Sequence, residues 1–163
     1  MFIFDFSRCF NFNISKVIIL SDMFENCPLM ERLDLSNFDT HNVMEMVSMF
    51  EGCISLKELD ISSFDTGNVF EKADGTEEEF SGLLNMFQSC PSLENIHLGS
   101  TFSWYPDAGL PSGNWTNGSV TYTVGGLYDN WDASLAGVWS REITPVLHAV
   151  EYLAGLVKCQ SLD

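Results

Sequence analysis

Apolar residues recur at fixed distances along the first hundred positions, and this spacing predicts the architecture before any other property of the chain. Met23-Phe24-Glu25-Asn26-Cys27 returns as Met49-Phe50-Glu51-Gly52-Cys53 after 26 residues and as Met86-Phe87-Gln88-Ser89-Cys90 after a further 37. Three positions beyond each cysteine an apolar residue opens an L-x-x-L-x-L stretch, at Met30/Leu33/Leu35, Leu56/Leu59/Ile61 and Leu93/Ile96/Leu98. Two copies run on through Phe38-Asp39-Thr40 and Phe64-Asp65-Thr66 to Asn42-Val43 and Asn68-Val69. The close of L-x-x-L-x-L alternates like a short strand with one buried face. The M-F-x-x-C spacing gathers its apolar residues on one side of a turn or short helix. Asp39, Asp65, Asn42 and Asn68 suit the polar turn between them, where their side chains can bond nearby backbone amides. A single coil of this kind cannot bury its apolar face alone, so neighbours must stack on it. The expected fold class is α/β, a solenoid with parallel strands stacked one per coil.

The same spacing sets the expected boundaries. Phe12 and Val17 lie 26 residues before Phe38 and Val43, so residues 1–22 read as a worn first coil. Coils then start at 23, 49 and 86, and the array covers 1–102. The longer second coil holds an insertion at about 70–82, including Asp74-Gly75-Thr76-Glu77-Glu78-Glu79. Such an acidic segment is costly to bury and is expected to bulge as a solvated loop. It is no EF-hand, because Phe70 and Lys72 fall on ligand positions and Ser81 stands where the bidentate Glu belongs. Residues 103–140 change character and contain all four tryptophans, Trp104, Trp115, Trp131 and Trp139. Asn117-Gly118 between Trp115-Thr116 and Val120-Thr121-Tyr122 predicts a hairpin with a type I′ turn. This segment is expected to be a small aromatic β-rich module capping the last coil. Residues 141–163 predict a terminal helix, with Thr144-Pro145 as its start and Val146, Val150, Leu153 and Val157 forming one stripe.

Charge narrows the function classes. With 23 acidic and 7 basic residues and a net charge of −16, the chain is ill suited to nucleic acid or an anionic membrane surface. No apolar run is long enough to span a bilayer. Met1 to Phe12 is apolar but carries Asp5 before any cation, and lacks the basic region and cleavage site of a secretory signal. The five cysteines are an odd number without C-x-x-C pairing, and three share one repeat phase, so they read as small buried hydrophobes.

No catalytic set, cofactor motif or metal site emerges. His41, His97 and His148 sit at unrelated phases, and G-x-S-x-G, P-loop and dinucleotide-binding motifs are absent. The chain therefore reads as a non-enzymatic binding module without a cofactor. On the strands, the residues between inward apolar positions must face outward. Glu31, Arg32, Asp34, Lys57, Glu58, Asp60, Glu94, Asn95 and His97 are the candidates for contact with a protein partner. Asp34, Asp60 and His97 share one strand phase and would form an exposed ladder, solvated or holding a cation. The alternative site is a glycan or cell-wall platform of Trp104, Trp115 and Trp131, since flat aromatic faces stack on sugars; packing on the last coil is the competing role for these rings. Sequons at Asn13, Asn114 and Asn117 bear on function only if a glycosylating host secretes the chain.

The unit M-F-x-x-C-x-x-L-x-x-L-D-L-S-x-F-D-T-x-N-V, spread over residues 9–102, resembles the BspA-type leucine-rich-repeat surface proteins of bacteria. Leu98-Gly99-Ser100-Thr101-Phe102, Gly113-Asn114-Trp115, Tyr122-Thr123, Asn130-Trp131 and Ala136-Gly137-Val138-Trp139 are similar to the aromatic segment that follows the repeats in that family. Gly125-Gly126 departs from the acidic residues usual there and weighs against a helix at that point. The resemblance implies display at the cell surface or secretion, and adhesion to host matrix or cell-surface proteins. No wall anchor is legible, and residues 140–163 fall outside the likeness.

Overall fold

The computed structural model describes residues 13–69 and 82–142. The worn coil up to residue 12, most of the insertion and the terminal helix lie outside the described residues. Six strands form one open mixed sheet: β1 Arg32–Asp34, β2 Glu58–Ile61, β3 Asn95–Leu98, β4 Asn114–Thr116, β5 Thr121–Thr123 and β6 Gly137–Arg141. Their order across the sheet is β1-β2-β3-β6-β4-β5. The single α-helix among the described residues, α1, runs from Val124 to Asn130. The chain is thus mostly β with a little α.

The repeated strands lie side by side in parallel, and Leu33, Leu59 and Ile96 meet in one row. All three are buried, as are Leu35, Ile61 and Leu98 beyond them. Behind the sheet the phenylalanines of the repeated M-F pair stack face to face. Phe24 and Phe50 have ring centroids 5.7 Å apart, and Phe50 and Phe87 5.9 Å.

The M-F-x-x-C segments form no helix. Each is a run of turns in which alternate amides reach sideways to the next copy: Asp22, Phe24 and Asn26 donate to the carbonyls of Val47, Met49 and Glu51. Ser48, Phe50 and Gly52 repeat this towards Leu84, Met86 and Gln88. Left-handed residues make the path feasible, at Asp22, Ser48 and Asn85 and again at Asn26, Gly52 and Ser89. Small polar residues and glycine occupy these positions because they tolerate positive φ best. A helix would turn these amides back onto their own segment and leave the neighbouring copy unpaired.

The D-T-x-N turns are stitches between copies. Asp65 acts as expected, accepting from the Gly67 amide at 2.8 Å, while the side-chain amides of the asparagines reach to another copy. Asn42 Nδ2 donates to Ser15 O at 2.8 Å, and Asn68 Nδ2 to His41 O, each one copy back. The buried Thr40 hydroxyl accepts from the Asp65 amide at 2.7 Å, and the Thr66 hydroxyl from the Ser103 amide at 2.7 Å. The cysteines of the second and third copies are buried and donate their thiols to the preceding copy, Cys53 to Phe24 O at 3.1 Å and Cys90 to Phe50 O at 3.0 Å.

After the last repeat the chain closes the array by two routes. Residues 105–110 take the place of a further M-F segment, so that Asp107 O and Ala108 O accept from the Asn85 and Phe87 amides. Strand β6 then runs antiparallel along β3 and carries the β4–β5 hairpin beyond it. The hairpin forms, but its loop spans 117–120, because Thr116 pairs with Thr121. Of the two turn residues only Gly118 has positive φ, whereas a type I′ turn needs it at both. Asn117 Oδ1 instead accepts from the Ser119 and Val120 amides, both at 3.0 Å, and ties the loop together. Helix α1 forms despite Gly125-Gly126, held by the Thr123 cap on the Gly126 amide and by burial of Leu127.

Candidate functional site: the outward face of the sheet

One face of β1, β2, β3 and β6 borders a concavity of about 460 Å³. Arg32, Asp34, Glu58, Asp60, Asn95 and His97 line it, on the faces of three strands that hide Leu33, Leu59 and Ile96 on the other side. Strand alternation produces this division directly. Glu31, Lys57 and Glu94, one residue earlier in each copy, lie beyond the lining. Their main chains carry the ladder where the strands begin, with Lys57 N bound to Glu31 O and Glu94 N to Lys57 O. Val138 also lines the concavity, in register with His97 and 53% exposed. It was legible only through alternation in Gly137-Val138-Trp139, where the buried tryptophan sends its neighbour outward.

Cross-strand ion pairs form on this face and at its edge. Arg32 Nη2 lies 2.9 Å from Glu58 Oε1, and Lys57 Nζ lies 3.3 Å from Glu31 Oε2. Exposed pairs of this kind contribute about 0–1 kcal/mol each and serve mainly to set register. Asp34 and Asp60 are the exception, like charges directly opposite each other. Each is steadied by its own turn, Asp34 Oδ1 accepting from the Ser36 amide and Asp60 Oδ1 from the Ser62 amide, both at 2.9 Å. Asp60 also faces His97, with Nδ1 3.0 Å from Oδ2. Burial pushes the Asp60 carboxyl upward, but hydrogen bonds from Ser62 and the His97 imidazole outweigh it and hold the acid below its ordinary value. Two histidines meet carboxylates: His97 lies against Asp60, its neighbour in the ladder expected from strand phase, and His41 pairs with Asp39, which sequence spacing did not single out. Among the described residues, no three His, Cys, Asp or Glu side chains converge as a metal site.

The tryptophans serve a different purpose from an exposed platform. Trp115 and Trp139 are fully buried and Trp104 is 9% exposed, which leaves their ring faces no room for a sugar. Trp104 packs between Phe87, Phe102, Tyr128 and Trp131, and so receives the end of the phenylalanine stack. Trp131 is half-buried, with Nε1 donating to Phe102 O at 2.6 Å. The indoles of Trp115 and Trp139 likewise donate to Pro111 O and Leu135 O. Nor do the buried thiols offer nucleophiles. Burial raises Cys53 to about 11 and Cys90 to about 12, and a protonated thiol attacks poorly.

No described helix is long and apolar enough to cross a membrane. No curated protein and no solved structure matches the chain. A family model does match, over residues 3–98, which takes in all three repeated strands and more than half of the sequence. The chain belongs to the family described as Mycoplasma protein of unknown function, DUF285.

Proposed function

We propose that the chain is a non-enzymatic protein-binding module, a short leucine-rich-repeat-type solenoid of the BspA kind acting at a bacterial surface. The observation that carries this reading is the register of β1, β2 and β3, which repeats one outward pattern of polar side chains along a single concave face. A rigid, one-sided array suits an extended partner, because its side chains are held in place before contact and little ordering entropy is lost on binding. The bacterial-surface and adhesive parts of the proposal rest on the likeness of the M-F-x-x-C and L-x-x-L-x-L units. The inert thiols and the cross-strand ion pairs fit recognition better than catalysis.

The test is binding of the full chain to a panel of immobilised host matrix and cell-surface proteins, alongside an Asp34→Lys/Asp60→Lys double variant. Charge reversal at two contact positions should weaken binding about tenfold, since two exposed ion pairs at up to about 1 kcal/mol each are lost and replaced by repulsion. Binding that ignores both substitutions would remove this face from consideration.

A further inference from the structure

Resting on the reading that this face binds a partner, we infer that the partner inserts a basic peptide segment, with an aliphatic side chain beside its cation. The charges that line the concavity point to this. Arg32 is satisfied by Glu58 on the neighbouring strand, so that pair is locally neutral. Asp34 and Asp60 stand side by side in register, on strands roughly 4.8 Å apart. Among the described residues no cationic side chain pairs with Asp34, and the imidazole of His97 is what pairs with Asp60. Among the described residues, Arg32 and Lys57 pair instead with Glu58 and Glu31. A lysine or arginine placed between the two relieves their repulsion, and the net charge of −16 draws such a segment from a distance.

The strands around the concavity set what a ligand meets there. Strand β2 presents Asp60, with Glu58 further along, and β1 presents Asp34 and Arg32. Strand β6 presents uncharged Val138 opposite the histidine, while Arg141 at its end is turned onto Pro91 O. Val138, an exposed aliphatic side chain among polar ones, supplies the contact for the methyl-bearing neighbour.

The experiment titrates the full chain with three fluorescein-labelled ten-residue peptides by anisotropy, locating contacts from backbone amide shifts. One peptide interleaves lysine, valine and serine; in the others glutamate or serine replaces lysine. The lysine peptide should bind and move amides of β1–β3 and β6. Its affinity should fall about two- to fivefold in Asp34→Asn, the range expected of one exposed ion pair, and stay unchanged in Asp129→Asn on α1. Equal binding of the glutamate or serine peptide to the same amides would overturn the cationic partner and leave the binding face standing. Binding of the lysine peptide elsewhere, or of no peptide at all, would overturn both.

Discussion

The repeated block and the aromatic segment beyond it are parts of one sheet, yet they cohere by opposite means. In the repeats, like meets like: Phe on Phe, Leu beside Leu, Asn and Cys each bonded to a carbonyl one copy back, and Thr to the copy ahead. In the closing segment, unlike residues meet once only, with Trp104 set at 59° to Phe87 and the strands reversed from parallel to antiparallel. Stacking of equals can continue indefinitely, because every surface it buries creates an identical one. Ending it takes a surface that breaks the pattern, and the tilted indole and reversed strand supply that break.

The strongest way to break this contrast is at the junction. Trp139 is buried on the strand that joins β3 to β4, so Trp139→Ala should cost about 3–5 kcal/mol, read from urea unfolding. A loss below about 1 kcal/mol would mean that the closing segment barely supports the array.

Glycines sharpen the same comparison. A Cβ at Gly99, where the last repeat turns, would lie 1.9 Å from Ser62 O of the preceding copy. Gly99→Ala should therefore destabilise by about 1–3 kcal/mol, as forced crowding does. Gly125 in α1 has open space around it, and Gly125→Ala should raise stability by about 0.4–1 kcal/mol. Thermal melts of the two variants should move in opposite directions.

The smallest effect concerns acid. Asp60 has its folded value held below the ordinary carboxylate range, so the stability it contributes is present above the unfolded value, near about 3.9. That contribution is lost as pH falls through the lower folded value. Asp60→Asn should lower stability slightly near neutrality, by that contribution, and flatten its decline below about pH 4, in denaturant midpoints taken across that range.

The regular half of the molecule was the legible half. Strand phase follows from alternation, so Leu33, Leu59 and Ile96 could be placed in one row, and Asp34, Asp60 and His97 on the opposite face, from spacing alone. The segments taken for possible helices were less readable. M-F-x-x-C has helical spacing, but left-handed residues at Asp22, Ser48 and Asn85 send its amides sideways, and no apolar period records that choice. Asn42 and Asn68 fit a self-capping turn equally well by composition; only the presence of an adjacent copy decides where their amides donate. The site lacked Val138 in the sequence reading because β6 comes from the irregular segment, where no repeat phase marks it as a neighbour of β3.

The closing segment takes hold of the last copy through the amides of Asn85 and Phe87 and the face of one phenylalanine ring. The copy before offers the same amides at Ser48 and Phe50 and the same ring. Because the terminus recognises what all copies share, in-frame gain or loss of a whole unit leaves its docking surface intact. Such chains can vary in length between related genomes by unequal recombination, and still end properly.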